Sequence, residues 1–381
     1  MQGIGSVVSV RDAGIFSYLC SLSYLLTTQT AMRYHLAFFL GAILASGIVA
    51  RGQAPDVHRI PFSSIQGVSV GNAQDSEATT GVTVFRFTDP GIAAVDVFGG
   101  GPASRETELI EPQRNHPLNA LVFSGGSAYG LAASGGVANC LEKHGEGYET
   151  GSALVPLVCQ SCIYDLGYGN ASVRPDELMG YAACEASFAA NDPRSGNVGA
   201  GTGATVGKAG GLKQAQKSGI GYAAAQLGTL QVGVAVVLNS YGDVYAEDGH
   251  KIAGMLTPDR SAFASSYEAL LRVAEENLFI GTTNTTLVAV FTNGRFSPAQ
   301  LKHLAQMTSA GLARSINPAF TTSDGDTVYA LSIGPEEEKI DASLNAAGAL
   351  SAQLLQEAIT DAILSSQVSE EEFLNKVSQA R

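Results

Sequence analysis

A chain of 381 residues is long enough for two or three domains or for one large sandwich. It is 45% hydrophobic and 15% charged, which excludes disorder, and its 44 glycines follow no G-X-Y period, which excludes a collagen-like rod. Lys+Arg 22 against Asp+Glu 35 leaves a net charge of −13, the wrong sign for a groove that tracks phosphates, so no nucleic-acid partner is expected.

Along the chain, Met32-Arg33-Tyr34-His35 precedes an apolar run from Leu36 to Ala50 and small residues at Gly52-Gln53-Ala54. A basic start, a short apolar core and a small-residue exit have the form of a secretory signal. The run is short for a spanning helix, and a membrane anchor is the alternative. Residues 1–54 are read as a leader, with Met32 a possible true start, and the mature protein as secreted and without a membrane span. Cys20 would leave with the leader, so Cys140, Cys159, Cys162 and Cys184 remain. An even count in a secreted chain favours disulfides, with buried thiols as the alternative. Asn170-Ala171-Ser172 is a glycosylation sequon, usable if the chain is secreted.

Residues 81–100 and 119–124 are β-branched and apolar between Gly and Pro and predict strands. Residues 127–144 predict a small-residue helix ending at Gly145. Val155-Pro156-Leu157-Val158-Cys159 reads as a strand end, and the stretch from Arg174 to Ala190 as a helix with Pro175 in its first turn. Residues 197–211 form a glycine-dense loop, 230–239 a buried strand, and 261–276 a helix. A polar link at 281–284 leads into 285–293, apolar enough for a strand covered on both faces. Ser297-Pro298-Ala299-Gln300 sets an N-cap, a first-turn proline and a capping-box partner before Leu301, Leu304, Ala305 and Leu312. Val328–Ser332 predicts a strand, 346–365 an amphipathic helix, and 366–381 a charged, solvated helical tail.

Familiar catalytic motifs are missing. Phe123-Ser124-Gly125-Gly126-Ser127 is no Gly-x-Ser-x-Gly elbow, and Gly199-Ala200-Gly201-Thr202-Gly203 is neither a dinucleotide fingerprint nor, with Lys208-Ala209, a phosphate loop. His250 and His303 stand alone, and no metal-ligand spacing occurs, so neither metal nor cofactor is expected. What remains is a polar Thr-Thr-Asn-Thr-Thr cluster opening a buried strand. A threonine hydroxyl is a weak nucleophile until a base sits beside it. Cutting the chain before a threonine supplies that base, because the freed α-amine has a reference pKa of roughly 7.7–8.0. β-Propensity with a polar edge is the plainer account of the same residues.

Five blocks, in order, carry a resemblance: Phe123–Ala133, Asn197–Lys208, Val236–Asp243, Asn284–Asn293 and Asp324-Gly325-Asp326-Thr327. Over about residues 58–365 the chain resembles the L-aminopeptidase/D-esterase (DmpA-like) family, which also holds β-peptidyl aminopeptidases and nylon-oligomer hydrolases. The resemblance implies a four-layer α/β/β/α sandwich of the N-terminal-nucleophile hydrolase type. It implies self-cleavage between Asn284 and Thr285, giving chains 55–284 and 285–381, and an oligomer of such two-chain units. Thr285 falls at the nucleophile position, where aminopeptidase members commonly have serine and the nylon-oligomer hydrolases threonine. Asn239 and Tyr129 are expected to donate to an oxyanion or hold substrate. Lys208 is expected near the hydroxyl, and Asp324 and Asp326 to orient the Thr285 amine or hold Lys208. The substrate implied is a peptide, small amide or ester. Alternatives are an acyltransferase of the ornithine-acetyltransferase type, an endo-acting oligoamide hydrolase, or a secreted binding protein on the same scaffold.

Overall fold

Ten strands form two sheets that share one long strand. They are β1 (Val57–Arg59), β2 (Val68–Asp75), β3 (Thr80–Val97), β4 (Ala103–Arg105), β5 (Leu118–Ser124), β6 (Val158–Cys162), β7 (Ile220–Leu227), β8 (Leu230–Asn239), β9 (Thr285–Thr292) and β10 (Thr327–Ser332). The helices are α1 (Ala133–Lys143), α2 (Glu177–Ala189), α3 (Ser266–Glu275), α4 (Pro298–Ser315), α5 (Leu344–Leu364) and α6 (Glu370–Gln379). This computed structural model describes residues 56–114, 116–275 and 284–380; the leader, Cys20 and the link at 281–283 lie outside them. No helix among the described residues is long and apolar enough to cross a membrane.

One sheet runs β1-β7-β8-β9-β10 and ends on residues 92–97 of β3; all its pairings are antiparallel except β9 with β10. The other runs β2-β3-β5-β6-β4, using residues 80–87 of β3, and is antiparallel except for β5 with β6. Asp89-Pro90-Gly91 interrupts the β3–β5 register between Arg86 and Gly91, and there the strand passes from one sheet to the other.

Period-two alternation decides which layer each side chain enters. Leu287, Ala289 and Phe291 of β9 join Tyr329 and Leu331 of β10 and Phe85, Phe87 and Phe123 between the sheets. Phe291 is central there, with ring centroids 5.6 Å from Phe62 and 5.2 Å from Phe85. The alternate residues Val288, Val290, Val328 and Ala330 face α4 and α5, meeting Leu301, Leu304, Leu312, Leu354, Leu355 and Ile359. On the outer face of the second sheet, Val82, Val84, Ala120 and Val122 pack on Val137, Leu141 and Ala183 of α1 and α2. The layers therefore run α/β/β/α. All eight residues of β9 are buried, as its apolar composition requires.

The Ser297 capping box and first-turn Pro298 of α4 form as expected. Other boundaries differ. Residues 127–132 are a 3₁₀ turn and the α-helix begins at Ala133. Pro175 precedes rather than enters α2, because the Asp176 carboxylate caps it by accepting the Met179 N–H. The helix expected from 261 starts at Ser266. The tail is not fully solvated: Phe373 of α6 is buried against Tyr168 and Ala215. Cys140 and Cys184 form a disulfide between α1 and α2, whereas Cys159 and Cys162 are free and buried in β6. Burial pushes the Cys162 thiol up to about 12, so it is protonated and inert at neutral pH.

Candidate active site

Three strand ends meet at Thr285. Thr285 opens β9 and pairs with Asn239, the last residue of β8, while the parallel neighbour β10 begins at Thr327, just after Asp324-Gly325-Asp326. Thr285, Asn239, Lys208, Asp324 and Asp326 are all at most 5% exposed. The aspartate loop is tied to the residue before β9 by two backbone bonds. Asn284 N–H donates to Ser323 O at 3.1 Å, and Gly325 N–H donates to Asn284 O at 2.7 Å. The Thr285 hydroxyl donates to that same Asn284 oxygen at 2.5 Å. The carbonyl expected to be cut is therefore polarised by a backbone N–H, with the hydroxyl expected to attack it alongside.

The carboxylates hold backbone. Asp326 Oδ1 accepts the Thr286 N–H at 2.7 Å and its Oδ2 the Phe320 N–H at 3.2 Å. Asp324 Oδ2 accepts from the Thr321 N–H at 2.9 Å and hydroxyl at 2.6 Å. The segment Phe98-Gly99-Gly100-Gly101, just past β3, lies against this loop, with Phe98 N–H on Asp326 O at 2.8 Å and Gly101 N–H on Asp324 O at 2.8 Å.

Lys208 is delivered by the glycine-dense loop. Gly207 adopts φ +73°, and a Cβ there would fall 2.0 Å from the Gly254 carbonyl carbon, so only glycine fits. Lys208 Nζ donates to Asn239 Oδ1 at 2.7 Å and Asn239 O at 2.9 Å. Thr205 N–H also donates to Asn239 Oδ1, at 3.1 Å, and Asn239 Nδ2 donates to Tyr164 O at 3.0 Å. Burial lowers Lys208 to about 7, against the pull of Asp324, Asp326 and Asp165. Burial likewise raises both Asp324 and Asp326, and Asp326 is raised further by its neighbour Asp324. Desolvation thus outweighs attraction at Lys208, Asp324 and Asp326 alike.

The structure brings together Thr285, Asn284, Asn239, Lys208, Asp324 and Asp326. Among the described residues, Tyr129 makes no hydrogen bond to any of them. That side chain is 60% exposed on the 3₁₀ turn, with the Arg174 guanidinium 3.7 Å above its ring. Two other tyrosines touch the cluster through their carbonyls: Tyr164 O accepts from Asn239 Nδ2, and Tyr241 O accepts the Lys208 N–H at 3.0 Å. Within 197–211, Gly201 and Gly207 let backbone approach backbone, whereas Gly199 and Gly210 lie against the side chains of Thr83 and Gln214. The glycine against the nucleophile is Gly325, where a Cβ would lie 2.7 Å from Thr285 Oγ1. Among the described residues, one trio, Cys140, His144 and Glu185, has metal-ligand proximity, but its sulfur is committed to the disulfide.

The model of peptidase family S58 matches residues 62–372. An uncharacterized aminopeptidase of Mycobacterium bovis is 35% identical over 332 residues, covering 80% of this chain and 94% of that protein. A 6-aminohexanoate-oligomer endohydrolase of Kocuria sp. is 29% identical over 317 residues, covering 78% and 84%. Among solved structures, the L-aminopeptidase D-Ala-esterase/amidase of Ochrobactrum anthropi, described as a variant of the Ntn hydrolase fold, superposes with TM-score 0.62 at 19% identity over 85% of this chain and 96% of that one. A Burkholderia sp. beta-aminopeptidase gives 0.57 at 19% identity over 87% and 97%. The sandwich is that of the Ntn hydrolases, and the chain belongs to peptidase family S58, a family of peptide-bond hydrolases.

Proposed function

We propose that the chain cuts itself between Asn284 and Thr285, and that the freed Thr285 then hydrolyses amide bonds as an aminopeptidase or amidase. One observation carries the reading: the Thr285 hydroxyl and the Gly325 N–H converge on the Asn284 carbonyl oxygen at 2.5 and 2.7 Å. In the first step Thr285 Oγ1 attacks the Asn284 carbonyl carbon, and the Gly325 N–H stabilises the oxyanion. The C–N bond breaks as the Thr285 nitrogen takes a proton, leaving an ester. Water then hydrolyses the ester to the Asn284 carboxylate and a free Thr285 amine and hydroxyl.

In turnover the amine takes the hydroxyl proton as Oγ1 attacks the substrate carbonyl, and returns it to the departing amine. Water completes the cycle by hydrolysing the acyl-enzyme ester. A carboxamide carries two N–H bonds. One Asn239 N–H is engaged by Tyr164 O, which leaves the other for the substrate oxyanion. Asp326 holds the Thr286 N–H, and so fixes the nucleophile's peptide.

Endo-action on oligoamides is the second reading, favoured by threonine at 285 and by the endohydrolase relative. Secretion is proposed from residues 32–54 alone. Exposed Asn170 would then carry a glycan. Assembly of two-chain units into an oligomer is likewise proposed from the resemblance. N-terminal sequencing of wild-type and Thr285→Ala protein, with assays on amino-acid p-nitroanilides, tests the core of this function. A new Thr285 terminus in active wild type and an uncut, inactive variant are expected. Active wild type that remains a single chain, or an active variant, refutes it.

A further inference from the structure

Asp165 follows β6 by three residues, is 4% exposed, and has no part in the steps above. Its Oδ1 accepts the Gly126 N–H at 2.7 Å and its Oδ2 accepts the Thr80 hydroxyl at 2.7 Å. Backbone bonds reinforce the same junction: Ile163 N–H to Ser124 O at 2.8 Å and Ser127 N–H to Ile163 O at 2.9 Å. A Cβ on Gly125 would fall 1.9 Å from Asp165 Oδ2, and one on Gly203 2.6 Å from Asp165 Cβ, so neighbouring backbone is moulded to this side chain. The charged groups facing it are Lys208 and Lys217, each of which feels its field. Lys217 Nζ is itself held by the carbonyls of Ala204 at 3.0 Å and Gly201 at 3.3 Å.

The residue before Asp165 supplies the carbonyl that receives Asn239 Nδ2. Asn239 is fully buried, with its Oδ1 held by Lys208 and the Thr205 N–H and its Nδ2 directed by that carbonyl. The Tyr164 carbonyl is in turn placed by residues 163–165, and among the described residues Asp165 is the side chain of that segment that ties it to Thr80 and Gly126.

We propose that Asp165 is a positioning residue of the hydrolase: by clamping Thr80 and the Gly126 N–H it holds the Tyr164 carbonyl in place, and so aims the remaining N–H of Asn239 at the reacting carbonyl. Buried in this way, the carboxyl is raised to about 6, chiefly by desolvation. The clamp itself needs acceptor geometry rather than charge. This inference rests on the hydrolase reading, but its structural half is measurable without turnover.

Asp165→Ala, Asp165→Asn and Thr80→Val are compared with wild type by p-nitroanilide kinetics, melting temperature and crystal structure. Misplacing a catalytic donor by about 1 Å costs on the order of 100-fold, so Asp165→Ala should lose about that in kcat, with KM within about twofold. Asp165→Asn should recover most of the loss, because its Oδ1 still accepts from Gly126 and its Nδ2 donates to the Thr80 hydroxyl. Thr80→Val removes one anchor only and should fall between them in kcat, with a smaller drop in melting temperature than Asp165→Ala; it decides the matter if Asp165→Ala does not fold. Wild-type kcat in Asp165→Ala, an Asp165→Asn as impaired as Asp165→Ala, or a Thr80→Val that loses stability but not kcat overturns the proposal. If wild type hydrolyses no amide, the hydrolase reading fails instead. The Asn239 Nδ2 to Tyr164 O distance in the variant crystals still judges the clamp, which is refuted if 3.0 Å persists.

Discussion

Gly325→Ala isolates the contact on which self-cleavage depends. Its Cβ would sit 2.7 Å from Thr285 Oγ1 and 2.9 Å from Gly101 O, where ordinary contact begins at 3.4 Å. One side must therefore yield by about 0.5–0.7 Å. Gly101 is pinned by its own bond to Asp324 O at 2.8 Å, so the hydroxyl or the Gly325 peptide moves. Moving the hydroxyl spoils the line of attack, and displacements approaching 1 Å cost on the order of 100-fold. Moving the peptide withdraws the N–H from Asn284 O, and loss of one such donor costs about 2.7–4 kcal/mol, or 10²–10³ in rate. Both routes give self-cleavage slowed by at least about 100-fold. The assay is a denaturing-gel time course of the chain that begins at Thr285, run beside a thermal melt. Wild-type cleavage kinetics in a variant with an unchanged melting temperature would refute the placement of Gly325 against the nucleophile.

Three further outcomes follow from the packing and electrostatics. Phe291→Ala opens a cavity between the sheets, where Phe291 meets Phe62, Phe85 and Phe87, and should cost about 3–5 kcal/mol by denaturant unfolding. Lys208 and Lys217 are both lowered to about 7 in the folded state. Above that value the unfolded chain binds more protons than the folded one, so stability from this source rises with pH from about 7 toward the free-lysine range. Lys208→Met should remove its share of that slope, seen by comparing denaturant unfolding of variant and wild type at pH 7 and pH 9. Tyr129→Phe keeps the ring under Arg174 and loses only an exposed hydroxyl, so turnover should stay within about twofold, and a large loss would return Tyr129 to the reaction centre.

Much of the sandwich was legible because burial on two faces leaves a compositional mark. The runs at 230–239 and 285–292 contain little that water would hold, and all of their residues but half-buried Gln231 are buried. The start of α4 was legible because serine, proline and glutamine each satisfy a distinct need at a helix N-terminus. The passage of β3 between sheets was not. Its residues read as one interrupted strand, and only pairing partners far along the chain show that 80–87 and 92–97 belong to different layers. Phe373 was hidden for a related reason: a charged tail with one aromatic looks solvated until Tyr168, some two hundred residues earlier, is seen beneath it.

At the site, legibility divides between side chains and backbone. Thr285, Asn239, Lys208, Asp324 and Asp326 carry chemistry in their side chains and could be singled out from sequence blocks. The Gly325 N–H on the Asn284 carbonyl and the Tyr164 carbonyl on Asn239 are main-chain groups that almost any residue could supply. Their identity lies in position, and position here is set by contacts spanning 75 residues from Tyr164 to Asn239 and 85 from Thr80 to Asp165. Tyr129 differs again, a side chain beside suggestive glycines whose ring lies under the Arg174 guanidinium. Glycine does leave one trace of main-chain chemistry. At 325 it is required because a hydroxyl occupies the space of a Cβ, so a glycine flanked by two buried carboxylates marks where the nucleophile's oxygen must come to rest.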